Sequence, residues 1–227
     1  MIARNLAGLA VACLLPAIAL AAGKPSFDCR KAASEVEKAI CASPVLSKAD
    51  AAIAAAYDRL RKALDPRAAA ALAADQRWFV GARDEAGAGK EGDGAFRTLK
   101  ERLAERSGFL EGVRVKPAGG FAGNWRNVAG GLEIEAKADG SLSVSGTVVE
   151  PVMGRWVCEV SGSGREAGGV LEVRQEDETS TLKLTREGAS LKAETVFPAG
   201  ATERRVGYCG MNGSADGSYF QVPPGSK

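Results

Sequence analysis

The sequence predicts an α+β protein: a disulfide-tied helical bundle followed by an antiparallel β-barrel or sandwich, within a chain of 227 residues. Three observations predict it. Apolar residues recur at helical spacing as far as Leu110, and after Gly112 they alternate instead. Four cysteines, Cys29, Cys41, Cys158 and Cys209, remain once an N-terminal leader is set aside. Histidine is absent throughout, which removes Ser-His-Asp and Cys-His nucleophile pairs and His-ligated zinc or haem.

The leader is residues 1–22. Arg4 supplies a basic start, an uncharged apolar run extends from Leu6 to Ala22, and Ala19-Leu20-Ala21-Ala22 closes it with small residues. That pattern is a secretory signal peptide, with cleavage expected near Ala21 or Ala22. As a membrane anchor the run is short and broken by Pro16. Cys13 follows only a loose lipobox, Ala10-Val11-Ala12, and cutting there would leave Leu14 to Leu20 on the mature chain, so it is read as a leader residue. The expected location is periplasmic or secreted, with no stable membrane span after cleavage.

An even number of cysteines in an exported chain reads as two disulfides. Three pairings are possible. Cys29–Cys41 with Cys158–Cys209 is favoured, because the chain changes character between those pairs.

The helical half is expected over residues 26–112. Val36 and Ile40 sit four apart before Cys41. Ser43-Pro44 then starts a helix with an N-cap hydroxyl and a proline at its first position. Leu46, Ala49, Ile53, Tyr57, Leu60 and Leu64 follow on one stripe. Asp65-Pro66 repeats the start signal and predicts a sharp boundary between antiparallel helices. Leu72, Gln76, Phe79 and Val80 line the next helix, with Trp78 beside them. Gly87 to Gly94 is a break, and Phe96, Leu99, Leu103 and Leu110 mark a last helix, interrupted at Ser107-Gly108.

The β half is expected over residues 119–223, after Lys116-Pro117-Ala118-Gly119-Gly120, which reads as a linker or first loop. Leu132, Ile134 and Ala136 alternate, then Leu142, Val144 and Gly146, around an Asp139-Gly140 hairpin turn. Further strands are expected at Arg155–Ser161, Gly169–Arg174, Ser180–Thr185, Ser190–Val196 and Tyr219–Val222, with Gly162 to Gly169 as a turn. Trp125 and Trp156 read as core anchors. Such a barrel is either filled by side chains or hollow around a small apolar ligand.

The charges exclude more than they suggest. With 30 basic and 28 acidic residues the chain lacks the basic excess of a nucleic-acid binder. Glu176-Asp177-Glu178 lacks the alternation of a calcium loop, and the glycine-rich break has no Gly-Lys-Ser/Thr. No catalytic, cofactor-binding or metal-binding residue is singled out, and no cofactor is expected. A hydrolase built on a carboxylate pair finds no support in the spacing of the 28 acids.

One ordered string is specific. Ser26-Phe27-Asp28-Cys29 is followed by Glu37-Lys38-Ala39-Ile40-Cys41, then Leu46, Asp50 and Tyr57, then Gln76-Arg77-Trp78 and Arg83-Asp84. This string, over about residues 26–85, resembles the N-terminal domain of the family named for the lysozyme inhibitor LprI. The resemblance implies an exported bacterial protein with a compact disulfide-bonded helical fold, whose named member inhibits lysozyme. Members often carry a further cysteine after the Arg-Asp, where this chain has Glu85.

For most string residues a scaffold role is expected first: Tyr57 and Trp78 in interhelical packing, and Asp50, Arg77, Arg83 and Asp84 in pairing or capping. The loop cations Lys90, Arg165, Arg204 and Arg205 are read as solvated charges. The partner implied by the resemblance is a lysozyme-type glycoside hydrolase, bound rather than chemically altered. A ligand-binding barrel and a non-enzymatic envelope assembly protein are the alternatives.

Overall fold

The computed structural model describes residues 23–87, 97–176, 178–202 and 205–225. The expected leader, Lys90, Phe96, Arg204 and most of the Gly87–Gly94 break lie outside the described residues. A 3-10 turn at Cys29–Lys31 leads into α1 (Glu35–Ala42), α2 (Pro44–Ala63), α3 (Pro66–Ala86) and α4 (Leu99–Gly112). Both proline-marked starts are where the sequence puts them. The Ser43 hydroxyl accepts the Leu46 N–H, and the Asp65 carboxylate accepts those of Arg67 and Ala68. Two more starts are reciprocal capping boxes, Ser34 with Glu37 and Thr98 with Glu101.

α4 corrects one expectation: it runs through Ser107-Gly108 without a break. A glycine inside a helix costs about 1 kcal/mol. Here Leu103, Arg106, Phe109 and Leu110 are all buried on either side of it, and that packing outweighs the local preference. The α2 stripe is also turned slightly from the apolar reading. Its buried residues include Ser47 and Asp50 as well as Ile53, Ala56 and Leu60.

The strands are β1 (Gly123–Asn127), β2 (Gly130–Ala136), β3 (Leu142–Val149), β4 (Val157–Gly164), β5 (Glu166–Ala167), β6 (Val170–Gln175), β7 (Thr181–Glu187), β8 (Ser190–Val196) and β9 (Gly217–Val222). They pair antiparallel in the order β4-β3-β2-β1-β9-β8-β7-β6, and β4 pairs back onto β6. Eight strands thus close a barrel, and two-residue β5 lies beside β6.

β1 is absent from the expected strands. Its inward positions are Trp125 and the polar Asn127, too little alternation to mark a strand. The expected turn from Gly162 is also corrected, since β4 continues through Ser161-Gly162-Ser163-Gly164. Those glycines serve close approach instead. A Cβ on Gly162 would lie 2.5 Å from the Arg174 carbonyl oxygen, and one on Gly164 would lie 2.0 Å from that of Glu172, on the strand that closes the barrel.

The interior is filled. Trp125, Leu132, Ile134, Val144, Leu171, Val173, Leu182, Leu184, Leu191 and Tyr219 are packed together within it. The Trp125 indole N–H donates to the Phe121 carbonyl at 2.7 Å, and the Tyr219 hydroxyl to that of Ala215 at 2.7 Å, so the large aromatics bury no unmet polar group. Disulfides join Cys29 to Cys41 and Cys158 to Cys209.

The helices pack on the outside of β9, which explains its unbroken burial from Tyr219 to Val222. Tyr219 belongs to the barrel core, whereas Phe220 and Val222 join the helical core with Leu103, Phe109 and Leu110. Phe109 and Phe220 meet edge to face, ring centroids 6.2 Å apart. The residues after α4 are strapped down. Arg114 N–H donates to the Gln221 carbonyl, Ala118 N–H to the Gln221 side chain, and the Arg186 guanidinium to the carbonyls of Ala118 and Gly120.

Candidate functional site

Two clefts open where the helices meet the barrel. The first is a pocket of about 70 Å³ walled by Arg83, Arg97, Arg102, Arg106 and Arg126, with Glu105, Phe79 and Phe109. Five guanidiniums invite an anion-binding reading, but most of their donors are already committed, the buried Arg126 Nε being an exception among the described residues. Arg106 pairs with Asp75 at 2.6 Å, donates twice to Gln76, and lies over the rings of Phe79 and Phe109. Asp75 also accepts the Val128 N–H at 2.9 Å, so this pair links α3, α4 and the barrel. Burial pushes the Arg106 guanidinium below its ordinary value, and the Asp75 charge works against that push.

Arg102 donates to the carbonyls of Arg97, Pro151 and Val152. Arg97 pairs with Glu105 at 2.8 Å, and Arg126 also has an interaction partner. Arg83 holds Asp84 at 2.8 Å and lies 3.5 Å from Asp50, which in turn accepts the Ser26 N–H and hydroxyl. This pocket is a buried clasp.

The second cleft is a groove of about 880 Å³ between α3 and the barrel. On one side stand Arg77, Trp78, Gly81 and Glu85 of α3; on the other are Glu150 to Val152, Arg155, Trp156, Met211 and Asn212. Large apolar side chains stand exposed on it and beside it. Trp78 is 40% exposed and Met211 76%, while Met153 (56%) and Val157 (40%) adjoin lining residues. Among the described residues only Val45 and Val196 complete the set of exposed large apolar side chains. The expectation that Trp78 packs between helices is therefore corrected: Phe79 takes the inward position and Trp78 faces out.

The barrel side of the groove is held rigidly. Glu150 folds its own turn, accepting the N–H groups of Val152, Met153 and Arg155 and pairing with the Arg155 guanidinium at 3.1 Å. Burial alone would raise this carboxyl. The Arg155 hydrogen bond and the three amides outweigh it and hold it at about 2. Arg155 also reaches Glu85 at 3.2 Å, so the position where the family often has cysteine faces the barrel in this chain. Met211 sits on a turn closed by hydrogen bonds from Gly210 N–H to Val157 and from Gly213 N–H to Gly210, two residues beyond the Cys158–Cys209 bridge. Asn212 takes φ 63° there, a left-handed conformation that asparagine adopts more readily than most residues.

The ordered string now divides. Cys29, Cys41, Asp50, Gln76, Arg83 and Asp84 are used internally, by disulfide, ion pair or hydrogen bond. Arg77 and Trp78 are exposed on the groove, and Arg77 makes no hydrogen bond or ion pair among the described residues. Arg165 pairs with Asp139 and takes no part, and Arg205 is exposed elsewhere in the loop before Cys209. Met211, Met153 and Arg155 carried no sequence signal, because their role depends on the barrel turns meeting α3. Among the described residues no group of three or more Cys, Asp or Glu is placed to hold a metal ion.

The comparisons agree with the string. Residues 29–109 match the family model of the lysozyme inhibitor LprI. The matched LprI segment is about a third of the chain and ends inside α4, so the barrel lies outside it. No curated protein and no solved structure matches this chain. Arg77 and Trp78 belong to the LprI-matching segment; Trp156 and Met211, across the groove, do not.

Proposed function

We propose that this protein is an exported inhibitor of a lysozyme-type muramidase, acting in the periplasm or outside the cell by binding across the enzyme's cleft. The LprI match over residues 29–109 carries the reading. The signal-peptide pattern of residues 1–22 and the two disulfides are in keeping with an oxidising compartment. An open groove rimmed by tryptophan, methionine and arginine has the composition of a protein-binding surface, whose energy comes from a few such anchors. Inhibition of this kind needs no chemistry from the inhibitor, since occupying the cleft excludes the glycan. The filled barrel interior favours this over a ligand-binding module.

The test is the lytic activity of lysozymes of several types on bacterial cell walls, with and without the oxidised mature chain. Stoichiometric loss of lysis with at least one type is expected. Unchanged lysis by every type at a large molar excess would contradict the proposal.

A further inference from the structure

Resting on the inhibitor reading, we infer that the inhibitory face is composite: Arg77 and Trp78 of α3 and Met211 of the barrel together form the contact, with Arg77 directed at the acidic catalytic centre of the muramidase. Three observations meet here. First, two of the six exposed large apolar residues among those described, Trp78 and Met211, line one groove from opposite walls, two more, Met153 and Val157, are chain neighbours of its lining residues Val152 and Trp156, and it is the groove that both halves build. Scattered exposed apolar residues need no explanation, whereas a contiguous group marks a contact surface.

Second, the groove's charges are used up except for one. Arg155 is held by Glu85 and Glu150, but Arg77 has no partner among the described residues. A glycosidase cleft offers the complement, since two carboxyl groups flank the scissile bond. A guanidinium meeting a carboxylate in a water-poor contact forms the stronger, charge-assisted kind of hydrogen bond.

Third, both walls are preorganised. Arg77 and Trp78 follow Asp75 and Gln76, which are locked onto Arg106, and Met211 rides on a hydrogen-bonded turn close to a disulfide. Little ordering cost is then left for binding. The consequence is that the LprI-matching helices supply only part of the contact, and the barrel turn contributes to the choice among lysozymes.

The test compares inhibition constants of the full oxidised chain and its variants against a lysozyme that the wild type inhibits. Arg77→Ala, Trp78→Ala and Met211→Asp are each expected to weaken inhibition at least tenfold. Val45→Ala and Val196→Ala, exposed apolar residues away from the groove, are expected to stay within twofold. Arg77→Lys, which keeps the charge but not the fork, is expected to fall between wild type and Arg77→Ala. Near-UV circular dichroism of each variant establishes that the fold is kept.

If the α3 variants weaken inhibition and Met211→Asp does not, the composite face is overturned while the inhibitor reading stands. If groove variants change self-association instead of inhibition, the groove is an interface between copies and the inference is also overturned. A wild-type chain that inhibits no lysozyme removes the inhibitor reading and this inference together.

Discussion

The two clefts between helices and barrel are neighbours with opposite characters. The arginine pocket has the greater concentration of charge and the smaller volume, and the guanidiniums of Arg83, Arg97, Arg102 and Arg106 are engaged with acids, carbonyls or rings. The groove has fewer charges, yet it leaves Arg77, Trp78 and Met211 facing solvent. A count of charged residues would choose the first as a site. Asking which side chains the fold has already used chooses the second. The pocket shares Ala82 and Pro151 with the groove, so the clasp also fixes the spacing of the groove's walls.

Breaking the clasp tests that division most severely. Asp75→Ala strips Arg106 of its carboxylate inside a site where both side chains are almost fully buried. Removing one partner of such a pair costs about 3–5 kcal/mol, and urea denaturation is expected to show a loss of that size. The groove's disulfide is next. Replacing Cys158 and Cys209 by serine opens a loop with a sequence separation of 51 and, in the chain-entropy model, costs about 4 kcal/mol at most. Stability is expected to fall accordingly, and the Met211 turn is expected to become more susceptible to proteolysis.

Acid gives a graded effect on the same wall. The Glu150 carboxyl titrates lower in the fold, at about 2, than its ordinary 4.5. Its contribution is therefore complete above about pH 4.5 and is lost as pH falls toward 2. Stability measured across that window is expected to decline, and Glu150→Gln is expected to lose stability at neutral pH while flattening the decline. The smallest effect is at Arg77. Arg77→Ala is expected to change unfolding free energy by less than about 0.5 kcal/mol, as for a surface residue outside any network. That neutrality, combined with lost inhibition, is the signature that separates a binding residue from a scaffold residue.

Much of the fold was legible because local chemistry decides it. Ser43-Pro44 and Asp65-Pro66 are helix starts whatever surrounds them, and Asp139-Gly140 turns a hairpin on its own. The exceptions are places where tertiary structure reassigns a local signal. Gly162-Ser163-Gly164 looks like a turn and is a strand, because barrel closure brings a neighbouring backbone against Gly162 and Gly164 where a Cβ would not fit. Asp50, Asp75, Arg102 and Arg106 are buried but polar, so a reading based on apolar stripes passes over them. Most of the candidate site was illegible for a related reason. Arg77 and Trp78 stand in the ordered string beside Gln76 and Arg83, and nothing in the string tells outward residues from inward ones. Met211 becomes meaningful only once the turn before β9 is brought opposite α3.

The central claim is that one partner touches both walls of the groove at once. Oxidative footprinting of the bound and unbound chain with an inhibited lysozyme tests it directly, since methionine and tryptophan report their own exposure. The account predicts joint protection of Trp78 and Met211 on binding, with Val45 and Val196 unchanged. Protection of neither residue, or of Trp78 without Met211, would contradict it.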